Sequence, residues 1–266
     1  MLVWSRVMRR AIWAGAAVLI GLVWVVPLAV VVLAAFAGEW NGIFPVKPTL
    51  EHFAYALSSE YAEAIGASVV TGFVAGLAAL VAGTWAALAL RPMTGRAKSV
   101  LSGLFFLPSA VPSVSVGLGL LVAFSRPPLI LNGTTAIVVI AHFVMIFAFT
   151  FGNVSAGLAR LTPDFELVAE SLGARPVYRL VHVTLPLMLP QLAAAFSLGF
   201  ALSMGELGAT VMIYPPGWVT LPVGIFALTD RGEIFDGAAL AMLLVLVTGA
   251  ALALVTRLTA RRGQAA

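Results

Sequence analysis

The sequence contains no cysteine and few charged side chains. Of its 266 residues, 61% are hydrophobic and 10% are charged, whereas soluble domains carry about 25% charged residues. Without cysteine, the chain can form neither a disulfide framework nor a thiolate metal site. The shortage of charge excludes an ordinary soluble enzyme and predicts a protein that crosses a membrane several times.

Sequence motifs for catalysis and nucleotide binding are also absent. Lys47 and Lys98 are the only lysines, and neither belongs to a phosphate-binding loop of the G-x-x-x-x-G-K-[ST] type. The G-x-S-x-G nucleophile elbow does not occur, and His52, His142 and His182 are too far apart in the sequence to form a metal-binding motif. We therefore expect no catalytic residue, no metal site and no cofactor in this chain.

Six apolar runs are each long enough to cross a bilayer, which takes about 20 residues. They lie near residues 11–36, 64–90, 99–125, 134–156, 187–213 and 237–256. The first run is about twice too long for a signal peptide, so we interpret it as a retained helix. The six runs predict a single transmembrane domain over residues 11–266.

Lysine and arginine are distributed unequally between the two sides of this six-span arrangement. Twelve of the fifteen basic residues fall in segments on one side, and such an excess marks the cytoplasmic side. Both termini, including residues 1–10, are therefore predicted to be cytoplasmic. The basic residues are few and lie at the ends of apolar runs, so nucleic acid is not a predicted partner.

Two features interrupt the apolar runs. Glu206 lies in the fifth run, three residues after Ser203, and burying a carboxylate in hydrocarbon costs about 3 kcal/mol. It is expected to face a pathway as a gating or recognition residue, or to fix helix packing. Pro108 and Pro112 should bend the third run, which either lines a pathway or is only irregularly packed. His142 is interpreted as a packing residue.

A polar segment at about residues 158–186 separates the fourth and fifth runs. Its pattern predicts a short helix, a break at Gly173, a second short helix and a stop at Leu185-Pro186. Because it lies on the basic side, we interpret it as a docking surface for a cytoplasmic partner. Its candidate contact residues are Asp164, Glu166, Leu167, Ala169, Glu170, Gly173, Ala174, Leu185 and Pro186.

This segment resembles the EAA loop of bacterial ABC-importer permeases. The usual pattern is E-A-A-x-x-x-G, then about nine residues, then I-x-L-P. Ala169, Gly173 and the Leu185-Pro186 pair fall at the expected spacing. Leu167 stands where the pattern has glutamate, and Glu170 follows three residues later.

The resemblance extends to most of the chain. The segments 204–222 and 228–237 are similar to permeases of 2-aminoethylphosphonate uptake, within a group that includes importers of ferric iron, thiamine, polyamines and sulfate. The resemblance implies an all-α, type I ABC-importer permease fold with six transmembrane helices, placed in the bacterial inner membrane.

The resemblance also implies partners and a mechanism. The partners would be cytoplasmic ATPase subunits, a second permease subunit that is identical or different, and a periplasmic substrate-binding protein. Transport would proceed by alternating access, with ATP hydrolysis on the separate ATPase. The alternative is an autonomous channel or secondary transporter, which would need more intramembrane charge than Glu206 supplies.

Overall fold

The computed structural model describes residues 5–263, so the outermost parts of the predicted cytoplasmic termini lie outside the described residues. Most of the described chain is helical. The helices are α1 (Arg6–Ile20), α2 (Val26–Ala35), α3 (Glu51–Ala56), α4 (Ser59–Leu90), α5 (Gly95–Phe106), α6 (Ser113–Ala123), α7 (Thr135–Arg160), α8 (Asp164–Ser171), α9 (Pro176–Arg179), α10 (Leu185–Met204), α11 (Thr210–Ile213), α12 (Leu221–Asp230) and α13 (Ile234–Gly263).

A short antiparallel hairpin follows α2. Its strands are β1 (Ala37–Glu39) and β2 (Val46–Pro48), with Ala37 opposite Pro48 and Glu39 opposite Val46. Strand content is otherwise negligible in residues 5–263. The fold is therefore all-α, as the sequence predicts.

Five helical stretches between residues 5 and 263 are long and apolar enough to cross a membrane. They are Arg6–Ala35, Tyr61–Leu90, Thr135–Arg160, Pro176–Met204 and Ile234–Arg257. The pair α5 and α6 makes a sixth crossing if the two helices are counted as one broken span. Buried backbone groups in lipid must bond within their own helix, so long apolar runs form helices almost independently of their neighbours.

The third predicted span is broken at its prolines. The chain bends by 97° between Gly95–Ala110 and Ser113–Ala123. Pro108 lies in a 3-10 turn that follows α5, and Pro112 directly precedes α6. Neither residue has a backbone N–H to extend an α-helical ladder, so the helix stops and restarts in another direction.

The predicted limits of the fifth span were wrong at both ends. The helix begins at Pro176, within the predicted polar segment, and ends at Met204 rather than near residue 213. Leu185-Pro186 is not a stop, because a π-helical turn at Leu180–Thr184 leads directly into α10. Proline inside a continuous helix crowds the preceding turn, and the wider π turn gives Pro186 room.

Contacts between residues divide the chain into two units. One comprises residues up to Ala62 together with Gly224–Val245, and the other comprises Glu63–Val223 with Leu246 onward. The candidate sites described below lie in the second unit. Within that unit α7 packs against α5, α6, α10 and α11, and small residues such as Gly157 and Gly199 allow α7 and α10 to approach closely.

Candidate functional site

Before Gly173 the polar segment folds as one short helix, α8, and after it the segment forms the first turns of the long helix Pro176–Met204. Asp164 and Glu166 lie in the first turn of α8, where negative charge is favourable against the helix dipole. Gly173 has a φ of +84°. The amide of Ala174 donates to the carbonyl of Ala169, which together with the adjacent bond from the Gly173 amide completes a Schellman cap. The glycine is required here for its left-handed backbone conformation.

Glu166 joins α8 to two other helices. Its Oε1 accepts hydrogen bonds from Arg91 Nη1 at 2.7 Å and from Thr184 Oγ1 at 2.6 Å. Arg91 directly follows α4, and the buried Thr184 directly precedes α10. Partial burial opposes ionisation of Glu166, but these hydrogen bonds and the charges of Arg91 and Arg179 hold the pKa of its carboxyl below the ordinary value. Glu166 is therefore a charged junction of three helical elements.

A second glutamate of α8 is also paired within the protein. Glu170 accepts a hydrogen bond from Arg179 of α9. Apolar side chains are prominent on the exposed surface of α8 and its C-terminal cap: Leu167, Val168 and Leu172 are 58%, 59% and 83% exposed. Exposed apolar side chains grouped on one helix are typical of a protein interface.

The remaining predicted docking residues fall into two groups. Asp164 is exposed, and Ala169 and Ala174 are half-buried. Leu185 and Pro186 instead belong to the first turn of α10. The predicted docking residues from Asp164 to Ala174 therefore lie in α8 or directly after it, and we call them the α8 surface, whereas the Leu-Pro pair belongs to the helix that follows.

A second candidate region lies at a break between α10 and α11. Gly205 ends α10, and residues 205–209 are not helical. Glu206 lies in this break and not within a helix, which corrects its predicted position. Its Oε1 accepts a hydrogen bond from the amide of Ala209 at 2.8 Å, directly before α11. This bond to a backbone amide supports the alternative in which the carboxylate fixes helix packing.

His142 of α7 spans the same break. Its Nδ1 lies 2.6 Å from Ser203 Oγ at the end of α10, and its Nε2 lies 2.8 Å from Thr210 Oγ1 at the start of α11. All three side chains are buried. A neutral imidazole has one donor and one acceptor, and a hydroxyl can serve as either, so both bonds can form together. Ser203, a predicted pathway candidate, is thus a buried partner of His142.

Small residues bring α6 close to the same break. A Cβ added to Gly117 would lie 2.6 Å from the carbonyl oxygen of Ala209 and 2.8 Å from its Cα. Gly208 is similarly confined by Ser113. Upstream of α6, Pro108 is half-buried and Pro112 is exposed. The bend at the prolines and the break at Glu206 are therefore neighbours connected by backbone-to-backbone packing.

The sequence did not predict the residues that hydrogen-bond to Glu166 or the second partner of His142. Arg91 and Thr184 were not candidates, although the arginine directly after an apolar run was a signal that could have pointed to a cytoplasmic junction. Thr210 was not a candidate either. Within residues 5–263, histidine, aspartate and glutamate form no group of three or more that could hold a metal ion.

Comparison with known proteins gives consistent matches. Residues 79–262 match the family described as "Binding-protein-dependent transport system inner membrane component". The chain is 55% identical to PhnV of Salmonella paratyphi A, a permease protein assigned to a 2-aminoethylphosphonate transport system, over 99% of this chain and 100% of the relative. It is 34% identical to the molybdenum transport permease ModB of Mycobacterium tuberculosis, over 70% of this chain and 74% of the relative.

The fold is shared with a solved transporter. A structure of a bacterial alginate ABC transporter, in complex with a periplasmic protein bound to an alginate pentasaccharide, contains a chain that superimposes with a TM-score of 0.74. The match covers 96% of this chain and 94% of the other at 16% identity.

Proposed function

The chain belongs to the family of binding-protein-dependent transport system inner membrane components, and we propose that it forms the substrate pathway of an importer for 2-aminoethylphosphonate or a related phosphonate. It is an ABC-importer permease and a multi-pass inner-membrane protein, a transport component and not an enzyme. The observation that carries the proposed substrate is the identity to a 2-aminoethylphosphonate permease along the whole length of both chains.

Uptake by a reconstituted transporter tests the substrate. The permease would be placed in proteoliposomes with its ATPase, its partner permease and its binding protein, and ATP-dependent uptake of labelled 2-aminoethylphosphonate would be measured. We expect uptake that unlabelled phosphonates inhibit and that ferric iron, thiamine, polyamines, sulfate and molybdate do not. Inhibition by one of these instead would reassign the substrate, and uptake without ATP would favour a secondary transporter or channel.

The proposed partners follow from the family and from the cytoplasmic surface. The alginate transporter was solved with a periplasmic protein bound, and we assign a periplasmic binding protein, a second permease and an ATPase pair to this chain. The exposed Leu167, Val168 and Leu172 fit an apolar cleft on the ATPase. ATP binding closes the ATPase pair and moves the α8 surface, so that the transmembrane helices open outward. The binding protein then delivers substrate. ATP hydrolysis restores the inward-facing state.

Gly173 provides a test of docking. Gly173→Asp should abolish uptake and uncouple ATP hydrolysis from it while leaving membrane insertion intact, because it adds both a side chain and a charge at the end of α8. Gly173→Asn is the matched control, since asparagine also tolerates a positive φ but carries no charge. Normal uptake by Gly173→Asp would show that this surface does not couple to the ATPase.

The orientation of the termini is also a proposal, based on the excess of basic residues on one side. A reporter that is active only in the cytoplasm should be active when fused after Arg262 and inactive when inserted in the Trp40–Pro48 segment. A reporter that needs the periplasm should give the opposite result. Reversed signals would place the α8 surface outside the cell and contradict ATPase docking.

A further inference from the structure

One carboxylate oxygen connects elements that are far apart in the sequence. Glu166 Oε1 bonds to Arg91, 75 residues earlier, and to Thr184, 18 residues later. The Arg91 and Glu166 side chains are 29% and 21% exposed, so solvent screens this ion pair less than a fully exposed one. By contrast, the Glu170–Arg179 pair lies entirely within the polar segment.

The positions of the bonded residues give the junction a mechanical consequence. Arg91 lies at the end of α4, a helix of 32 residues, and Thr184 lies at the start of α10. A helix moves as a stiff unit, because each turn is bonded to the next. If α8 shifts, it must either pull the ends of α4 and α10 with it or break two charge-assisted hydrogen bonds.

We propose that Arg91 is a positioning residue through which a movement of α8 is transmitted to α4. The inference rests on the proposed function, because α8 is moved by the ATPase that docks on it. Arg91 lies outside the docking surface, directly after α4, and donates a hydrogen bond to Glu166. Thr184 provides the parallel connection to α10, so that both transmembrane helices follow the same carboxylate.

The reconstituted transporter tests this with Arg91→Gln, which keeps a hydrogen-bond donor but removes the charge. We expect the amount of substrate imported per ATP hydrolysed to fall about tenfold, the scale on which residues between two coupled sites alter their coupling. Co-purification of the ATPase with the permease should be retained, because the docking surface is intact. Arg91→Gln/Glu166→Gln should be no worse than the more impaired single variant, since both remove the same ion pair.

Arg96→Gln is the matched control. Arg96 is an exposed arginine in the first turn of α5, and its side chain makes no hydrogen bond or ion pair within residues 5–263. This variant should import like the wild type. The charge-swapped pair Arg91→Glu/Glu166→Arg should recover part of the transport that Arg91→Gln loses.

The outcomes separate the inference from the proposed function. If the wild-type transporter shows no ATP-driven uptake, the proposed function fails. If the wild type transports and Arg91→Gln imports as much substrate per ATP, the proposed function stands and the role of Arg91 is overturned. If Arg91→Gln loses uptake only in proportion to lost ATPase co-purification, Arg91 supports assembly and does not transmit movement.

Discussion

Two half-buried glutamates lie next to helix ends: Glu166 is in the first turn of α8, and Glu206 is in the break between α10 and α11. Glu166 bonds to residues of two other elements, whereas Glu206 bonds to the amide of Ala209, three residues away. The first contact therefore depends on how helices assemble, and the second depends mainly on the local course of the chain.

The regions around the two glutamates also differ in what holds them together. The α8 junction depends on charge, and its glycine, Gly173, lies in open space with a positive φ. The break at Glu206 depends on close packing, with Gly117 against backbone and His142 bonded on both sides. Solvent reaches the partly exposed Arg91–Glu166 ion pair, whereas His142 is buried and bonds to two neutral hydroxyls. Burying an unpaired charge costs more than burying a neutral group that is hydrogen-bonded.

The largest effect is expected for Gly117→Ala. The new Cβ would meet the backbone of Ala209 at 2.6 Å, and backbone cannot rotate away, so we expect a loss of about 3 kcal/mol in the free energy of unfolding. Thermal unfolding of the purified protein in detergent measures this. Gly119→Ala is the control, because its Cβ would meet no described heavy atom within 4 Å. Equal midpoints for the two variants would show that the break does not depend on close packing.

A somewhat smaller effect is expected for His142→Leu. The substitution leaves the buried hydroxyls of Ser203 and Thr210 without their partner, at a cost of about 2 kcal/mol. His142→Gln should recover part of this loss, since its amide both donates and accepts. The same thermal measurement applies. A His142→Leu variant as stable as the wild type would show that His142 does not stabilise the break.

Glu206 should give a smaller and more specific response. Glu206→Ala removes the acceptor for the Ala209 amide and should cost about 1 kcal/mol, whereas Glu206→Gln retains a side-chain oxygen and should be nearly neutral in stability and uptake. Uptake and ATPase activity distinguish the alternatives. If Glu206→Gln impairs the uptake of cationic substrates only, Glu206 recognises the substrate. If the variant changes the basal ATPase activity whatever the substrate, Glu206 acts in gating.

The smallest effect concerns pH and the Glu166 junction. The pKa of this carboxyl is lowered in the folded protein, so its contribution to stability is complete above its ordinary pKa and is lost as the pH falls through the folded value. Glu166→Gln should lower the free energy of unfolding by about 0.5 kcal/mol. This difference from the wild type, followed through the midpoints of thermal unfolding, should be constant from about pH 8 to pH 5 and should decrease below that. A decrease that begins near neutral pH would show that another group holds the junction together.

The sequence could predict the elements that depend on local composition. The apolar runs near 64–90 and 134–156 coincide closely with α4 and α7, because a backbone in lipid can satisfy its polar groups within a single helix. The short helix α8 and its end at Gly173 could also be predicted, since a glycine after a helical run favours a left-handed end. The second short helix was predicted to stop at Leu185-Pro186, but it continues into α10. The all-α class and the permease family were confirmed.

Predictions failed where a residue's role depended on its neighbours in space. Pro186 was interpreted as a stop, but the preceding π turn accommodates it. The fifth run was extended through Gly205, although the chain leaves the helix there and returns to one only at Thr210. Apolar composition does not reveal such a break, because the residues on both sides are equally suited to the membrane.

By itself, the sequence determined that this is an all-α membrane protein and to which family it belongs. Those properties follow from the composition of contiguous segments and from short motifs. Only the tertiary structure decided that Glu166 joins α4, α8 and α10, and that His142 spans the break beside Glu206. A hydrogen bond needs two groups within about 3 Å, and partners separated by 75 or 61 residues meet only when the helices have packed.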